Sequence, residues 1–246
     1  MTNTSGGSSV DTVSIVIPAF NESRRIASSL QRIVEYADHH LREYEIIVVD
    51  DGSSDGTADV VTTALSGSKN LVVIKNPQNR GKGYSVRVGA LKARFPYVLL
   101  SDADLSTPIE EFEKLAAHAS PTTLVIASRG MEDSKLEVRQ PWYREMMGRI
   151  FNRIVQTLLL PGISDTQCGF KLFGHEVVRS VFPRLEIERW AFDVELIARA
   201  IKSGFVVREV PVRWQNDERS RVNPITDASR MFLDVLRVRW KLFWER

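Results

Sequence analysis

Cysteine is nearly absent: Cys168 is the only one among 246 residues. No disulfide can form within the chain, which excludes a small cross-linked scaffold and suits a reducing compartment. Long apolar runs are also missing. Nothing approaches the roughly 20 consecutive apolar residues that a helix needs to cross a bilayer, so any membrane contact has to be peripheral or made through a partner. Neither sign of charge dominates, with 33 Lys and Arg against 31 Asp and Glu and a formal net charge of +2. A chain built mainly to hold nucleic acid is usually far more basic, and no nucleic acid is expected as a partner. Residues 1–12 lack the charged start and apolar stretch of a signal peptide; polar and rich in Gly and Ser, they read as a flexible tail. The expected location is the cytoplasm, at the cytoplasmic face of a membrane.

What is present is a 43% hydrophobic composition, enough to bury one sizeable core. Short apolar runs at 13–17, 45–49, 71–74, 97–100 and 124–127, most of them rich in β-branched residues, read as strands. Between them the apolar spacing predicts helices over 22–36, 57–65, 82–93 and 107–119, the last with Pro108 in its first turn. This alternation implies an α/β fold with a mostly parallel sheet covered by helices. Beyond Arg129 the pattern changes: a long helix over 142–160 with a broad apolar face, a helix over 194–202, a strand over 205–214 and an amphipathic helix over 226–244.

In such folds ligands sit beyond the carboxyl ends of the strands. Four strands deliver polar groups there: Asn21-Glu22, Asp50-Asp51, Asp102 to Asp104, and Ser128-Arg129. Asp102-Ala103-Asp104 places two carboxylates on one side of an extended turn. Two acids so close repel unless a proton or cation intervenes. A hard ion, Mg²⁺ or Mn²⁺, takes such oxygens, fills its other positions with diphosphate oxygens and water, and neutralises charge on a departing nucleotide. A solvated acidic loop carries the same motif, so its position at a strand end is what gives it weight. Asp50-Asp51-Gly52 also suits a turn, and Asp55-Gly56-Thr57 a helix cap. Asn79-Arg80-Gly81-Lys82-Gly83 suits either a plain turn or a phosphate cradle at a helix start. Asp165 and Gln167 lie in a polar turn after the long helix, and Cys168 beside them reads as a packing residue. Trp190, Asp193 and Glu195 flank the helix that follows.

The segments Val-Ser-Ile-Val-Ile-Pro-Ala-Phe-Asn-Glu (13–22), Val-Val-Asp-Asp-Gly-Ser-Ser-Asp-Gly-Thr (48–57), Asn-Arg-Gly-Lys-Gly (79–83) and Asp-Ala-Asp (102–104) occur in the order seen in family 2 glycosyltransferases. Together with Ser-Asp-Thr-Gln-Cys-Gly-Phe-Lys-Leu-Phe (164–173) and Arg-Trp-Ala-Phe-Asp-Val-Glu-Leu (189–196), they make the chain resemble the dolichyl-phosphate glucosyl- and mannosyltransferase branch, the β-glucosyltransferases and their bacterial polyprenyl-phosphate relatives above all. The resemblance implies a GT-A fold, with a nucleotide-sugar-binding half over 13–130, an acceptor-side half of the same domain over 131–225 and a C-terminal amphipathic helix over 226–246.

It further implies that Pro18, Phe20 and Glu22 surround the nucleotide, that Val49 and Asp51 lie at base and ribose, and that Lys82 faces phosphate. Asp102, Ala103 and Asp104 meet ribose, diphosphate and metal, with Asp104 the more direct ligand. Ser106 stands where mannosyltransferases often carry Gln, which leaves the remaining coordination unassigned, to water, phosphate or another residue. Arg129 approaches the donor or acceptor phosphate. Asp165 acts as a base or positions the acceptor with Gln167. Arg219 and Arg221, in a polar loop, are alternative phosphate-binding arginines. An alcohol acceptor needs a base to take its proton, whereas a phosphate ester is already ionised near neutral pH and needs cations.

From Arg219 onward seven Lys and Arg stand against three Asp and Glu, and Phe232, Leu236, Trp240, Phe243 and Trp244 lie among them. That mixture suits an anionic membrane surface or, equally, a helix packed on the domain with its cations outside. The expected activity is inverting, metal-dependent transfer of a hexose, glucose from UDP-glucose, to a polyprenyl or dolichyl phosphate. Mannosyl transfer from GDP-mannose, transfer to a soluble or cell-wall acceptor, and a silent nucleotide-sugar-binding protein are the alternatives.

Overall fold

The structure, a computed structural model, describes residues 10–138, 141–216 and 226–245. The nine strands among them are β1 (Thr12–Ala19), β2 (Glu43–Asp50), β3 (Leu71–Lys75), β4 (Tyr97–Ser101), β5 (Thr123–Ser128), β6 (Lys135–Val138), β7 (Phe170–Gly174), β8 (Val206–Pro211) and β9 (Arg213–Gln215). Seven form one sheet in the order β3-β2-β1-β4-β7-β5-β8, and β6 pairs with β9 in a second. Every pairing in the large sheet is parallel except the two made by β7, which runs antiparallel between β4 and β5.

The expected α/β architecture with a mostly parallel sheet is therefore present. Central strands are buried on both faces, as parallel sheets require; all six residues of β5 are buried. One core layer gathers α1 (Ile26–His40), α2 (Thr57–Ala64) and α4 (Phe112–Ala116) through Ile26, Leu30, Ile33, Val61, Phe112 and Leu115. The opposite layer gathers α3 (Lys82–Lys92), α5 (Trp142–Leu158), α6 (His175–Val181), α7 (Phe192–Lys202) and α8 (Thr226–Trp244) through Val86, Val155, Val177, Leu196 and Val235.

Several boundaries differ from the sequence expectation for physical reasons. The helix expected over 22–36 begins at Ile26, because Glu22 is still in the turn and accepts from the Arg25 and Ile26 amides through its carbonyl. The helix expected over 107–119 is a 3₁₀ turn, Ile109–Glu111, followed by the short α4; Pro108 sits before it with extended ψ, not within its first turn. The strand expected over 205–214 is two strands in two sheets. Pro211 has no amide hydrogen to continue the ladder, and the chain steps from β8 beside β5 to β9 beside β6. Strand β7 and helix α6 were not expected.

Candidate active site

The edge where β1, β2, β4 and β5 end collects the polar groups singled out in the sequence. Because β7 is antiparallel, its start, and the turn 165–169 that leads into it, reach the same edge. A parallel strand there would have carried this turn to the far side of the sheet.

Asp102 and Asp104 follow directly on β4. The Lys82 ammonium lies 2.5 Å from Asp102 Oδ1, and Arg25 Nη1 lies 3.5 Å from Asp104 Oδ2. Leu105 adopts a left-handed backbone, φ +50°. This turns the chain so that the Ser106 amide donates to Asp104 Oδ1 at 3.0 Å. Burial, and after it the charge of Asp102, push the Asp104 carboxyl up. Burial works against the charged Lys82, yet Asp102, then Asp193, hold its pKa above the ordinary value. Ala103 is buried between the two acids. Gly169 supplies the other wall: a Cβ there would overlap the Asp102 carboxylate.

The donor set fits a hard divalent ion. Among the described residues no group of three or more His, Cys, Asp or Glu is gathered for a metal; two carboxylates such as Asp102 and Asp104 could supply part of a six-coordinate shell, with diphosphate and water supplying the rest. Burial and, after it, the charge of Asp102 raise Asp104, and a cation held there would relieve both.

Asp51 is buried, and its carboxylate accepts from the Gly81 amide at 2.7 Å, the Arg80 amide at 3.1 and 3.2 Å, and Asn76 Nδ2 at 2.8 Å. It thus holds the loop that launches α3 and aims Lys82 at Asp102. Gly81 in that loop has φ +116°, and a Cβ would lie 2.5 Å from the Glu188 carbonyl oxygen. Val49 has its side chain in the core against Gly89, so only its backbone is left to face a ligand. Pro18 pairs in register with Val49. Phe20 and Glu22 are half-buried beyond β1. The Glu22 amide donates to Thr57 Oγ1 at 2.7 Å, and its carboxylate pairs with Arg25.

Arg129, at the end of β5, meets Asp165 in a two-pronged pair: Nε donates to Oδ2 at 2.6 Å and Nη2 to Oδ1 at 3.0 Å. The Arg129 amide adds a third bond to the same carboxylate at 3.0 Å. Burial alone would raise the Asp165 carboxyl, but the Arg129 charge and these hydrogen bonds outweigh it and hold it at about 2. The guanidinium also lies over the Trp214 ring, 5.2 Å from its centre. Glu209 of β8 accepts from the amides of Ser164 and Asp165 at 2.8 and 2.9 Å, and the Gln167 amide returns to Asp165 Oδ1 at 3.0 Å. Burial pushes the Cys168 thiol up, as suits a packing residue. Arg219 and Arg221 lie outside the described residues.

Sequence reasoning had passed over Arg25, Gly169, Lys171 and Glu209. Only Arg25 left a visible signal, three residues after Glu22 in a turn. Gly169 and Glu209 act through neighbours far away in the chain, and Lys171 through Asp193 as well as the nearby Cys168 carbonyl.

A family model described as "Glycosyl transferase family 2" matches residues 14–182. A dolichyl-phosphate beta-glucosyltransferase of Dictyostelium discoideum is 37% identical over 242 residues, which cover 93% of this chain and 74% of that protein. The Homo sapiens protein of the same description is 34% identical over 241 residues, covering 92% and 74%. Among solved structures, mannosyl-3-phosphoglycerate synthase from Rubrobacter xylanophilus superposes with a TM-score of 0.69 at 20% identity, covering 96% of this chain and 76% of the other. Glucosyl-3-phosphoglycerate synthase from Mycobacterium tuberculosis, in complex with Mn²⁺, UDP-glucose and glycerol 3-phosphate, gives a TM-score of 0.66 at 18% identity, covering 94% and 80%. The sheet and its flanking helices are the GT-A fold of those synthases.

Proposed function

The chain belongs to glycosyltransferase family 2, and on that footing we propose that it transfers glucose from UDP-glucose to a polyprenyl phosphate of the dolichyl type. The observation that carries this reading is the Arg129–Asp165 pair. The acceptor side offers a fixed guanidinium, while the carboxylate beside it is held at about 2 and is a poor proton acceptor near neutral pH. That combination serves an acceptor that arrives already ionised, as a phosphate ester does, and serves an alcohol badly.

In this reading the nucleotide lies over the ends of β1 and β2, near Pro18, Phe20, Glu22, Val49 and Asp51. Asp102 and Asp104 hold Mg²⁺ or Mn²⁺, which when bound supplies charge neutralisation for the departing diphosphate. Lys82 stands beside Asp102 to take a phosphate oxygen. Arg129 orients the acceptor phosphate and Asp165 fixes Arg129, with Gln167 in the same turn. An acceptor oxygen attacks the anomeric carbon as the bond to the diphosphate oxygen breaks, and in-line displacement inverts the α-linked donor to a β-linked product.

The acceptor's lipid tail asks for a membrane surface. Among the described residues no helix is long and apolar enough to cross one. Helices α5 and α8 nevertheless expose Trp142, Tyr143, Met146 and Ile150, and Phe232, Leu233, Trp240, Phe243 and Trp244. Exposed Arg149 and Arg237 lie on the same two helices. Aromatic and basic groups together suit the interface of an anionic bilayer.

The test is turnover of UDP-glucose and GDP-mannose with a short polyprenyl phosphate, with and without Mn²⁺. Glucose should appear in the organic extract with UDP-glucose and metal, and disappear when metal is chelated. Lipid product from GDP-mannose alone would overturn the donor assignment, and product only on a soluble acceptor would overturn the acceptor.

A further inference from the structure

Lys171 is the second residue of β7 and its side chain is wholly buried, a place where an ammonium persists only if its donors are taken up. Nζ donates to the Cys168 carbonyl at 2.6 Å and to Asp193 Oδ1 at 2.6 Å. In register it stands beside Leu100 of β4 and Ile126 of β5, just short of Asp102 on one side and Arg129 on the other.

Its two acceptors belong to separate segments. Cys168 is in the turn that carries Asp165 and Gln167, and Asp193 lies in the first turn of α7. Each segment presses on the donor side. Gly169 of the turn lies so close to the Asp102 carboxylate that no side chain fits between them. At the start of α7, Phe192 crowds Gly83, whose added Cβ would lie 2.5 Å from the Phe192 Cβ. The residue before Gly83 is Lys82, and Asp193 is, after Asp102, the carboxylate acting most strongly on its ammonium.

We propose that Lys171 and Asp193 are positioning residues: a buried pair that binds the 165–169 turn to the start of α7 and thereby sets where Asp102 and Lys82 meet the donor's diphosphate. The inference rests on the donor site described above. A pair serving the fold alone makes a different prediction, because a buried ion pair replaced on both sides by apolar groups of similar volume often costs little stability.

The experiment compares the full chain with the double variant Lys171→Met/Asp193→Leu, reading melting temperature and UDP affinity in the presence of Mn²⁺ by titration calorimetry. The double variant should stay folded and bind UDP at least about tenfold more weakly, the scale of effect seen when supporting groups around a ligand site are lost. A wild-type protein that fails to bind UDP with Mn²⁺ sinks the donor-site reading itself. A wild type that binds, beside a folded double variant whose affinity is unchanged, overturns the positioning role alone.

Should the double variant not fold, the isosteric Asp193→Asn is read in the same way. In a cycle with Lys82→Met, the losses in UDP affinity from Asp193→Asn and Lys82→Met should be less than additive, since both act at one place. Full additivity overturns the proposal.

Discussion

Asp104 and Asp165 are both largely shielded carboxylates whose surroundings push them in opposite directions. Asp104 is raised by burial and by its neighbour Asp102, so its charge opposes folding at neutral pH. Asp104→Asn should leave the melting temperature unchanged or slightly higher while transfer falls by at least about 100-fold, the scale on which direct electrostatic stabilisation is lost. Thermal unfolding alongside an initial-rate assay checks both halves.

Asp165 is depressed to about 2, so its contribution to stability is fully present above the ordinary carboxylate value, near about 3.9, and drains away as pH falls through about 2. Removing its charge strands a buried guanidinium, and Asp165→Asn should cost about 3 kcal/mol at pH 7. Denaturant midpoints of wild type and variant should draw together as pH falls from 7, most of the gap closing by about pH 2. A gap undiminished across that range would mean that the pair is not what stabilises the turn.

At the scale of elements, β1, β2, β4 and β5 could be read because each is a short run dominated by apolar residues, many of them β-branched, ahead of a polar turn. The polar clusters at their ends could therefore be placed on one edge before any coordinates. Strand β7 could not. Phe170 to Gly174 carries a lysine where a central strand should be apolar, and nothing nearby in the chain shows that Asp193, 22 residues on, will pair with it. The same remoteness hid Gly169, whose bareness matters only because Asp102 folds against it. Gly169→Ala should shift that carboxylate by a bond length or so, and turnover should fall by about 100-fold, as small misplacements at reacting centres do. UDP–Mn²⁺ titration should show weakened binding in a protein that still melts cooperatively. The two pieces of the expected 205–214 strand were hidden differently: Pro211 ends the ladder, yet the β-rich pattern on either side of it is continuous.

Over the whole molecule, the chemistry faces one edge of the sheet while α5 and α8 turn aromatic residues outward. Trp240 is 67% exposed and Trp244 63%, so replacing both by Ala removes no core contact and the fold should be indifferent. Flotation with vesicles containing anionic lipid should drop by at least about tenfold, given what buried apolar area contributes at an interface. Transfer to a short, soluble polyprenyl phosphate should be unaffected. A double variant that floats like wild type would place membrane contact elsewhere.

The insertion of β7 between β4 and β5 also bears on how the enzyme comes into being. Strand β5, which Arg129 follows, finds its sheet partners among the described residues in β7 and β8, and both are made after it. A nascent chain that has just completed residue 130 already holds Asp51, Lys82, Asp102 and Arg129, yet Arg129 hangs from a strand with nothing beside it. Loop closure over such separations is slow, and the edge of β4 stays open to other chains meanwhile. A chain cut before the 165–169 turn and β7 would lack that turn together with both of these partners of β5, and on the proposed function it should show no transfer.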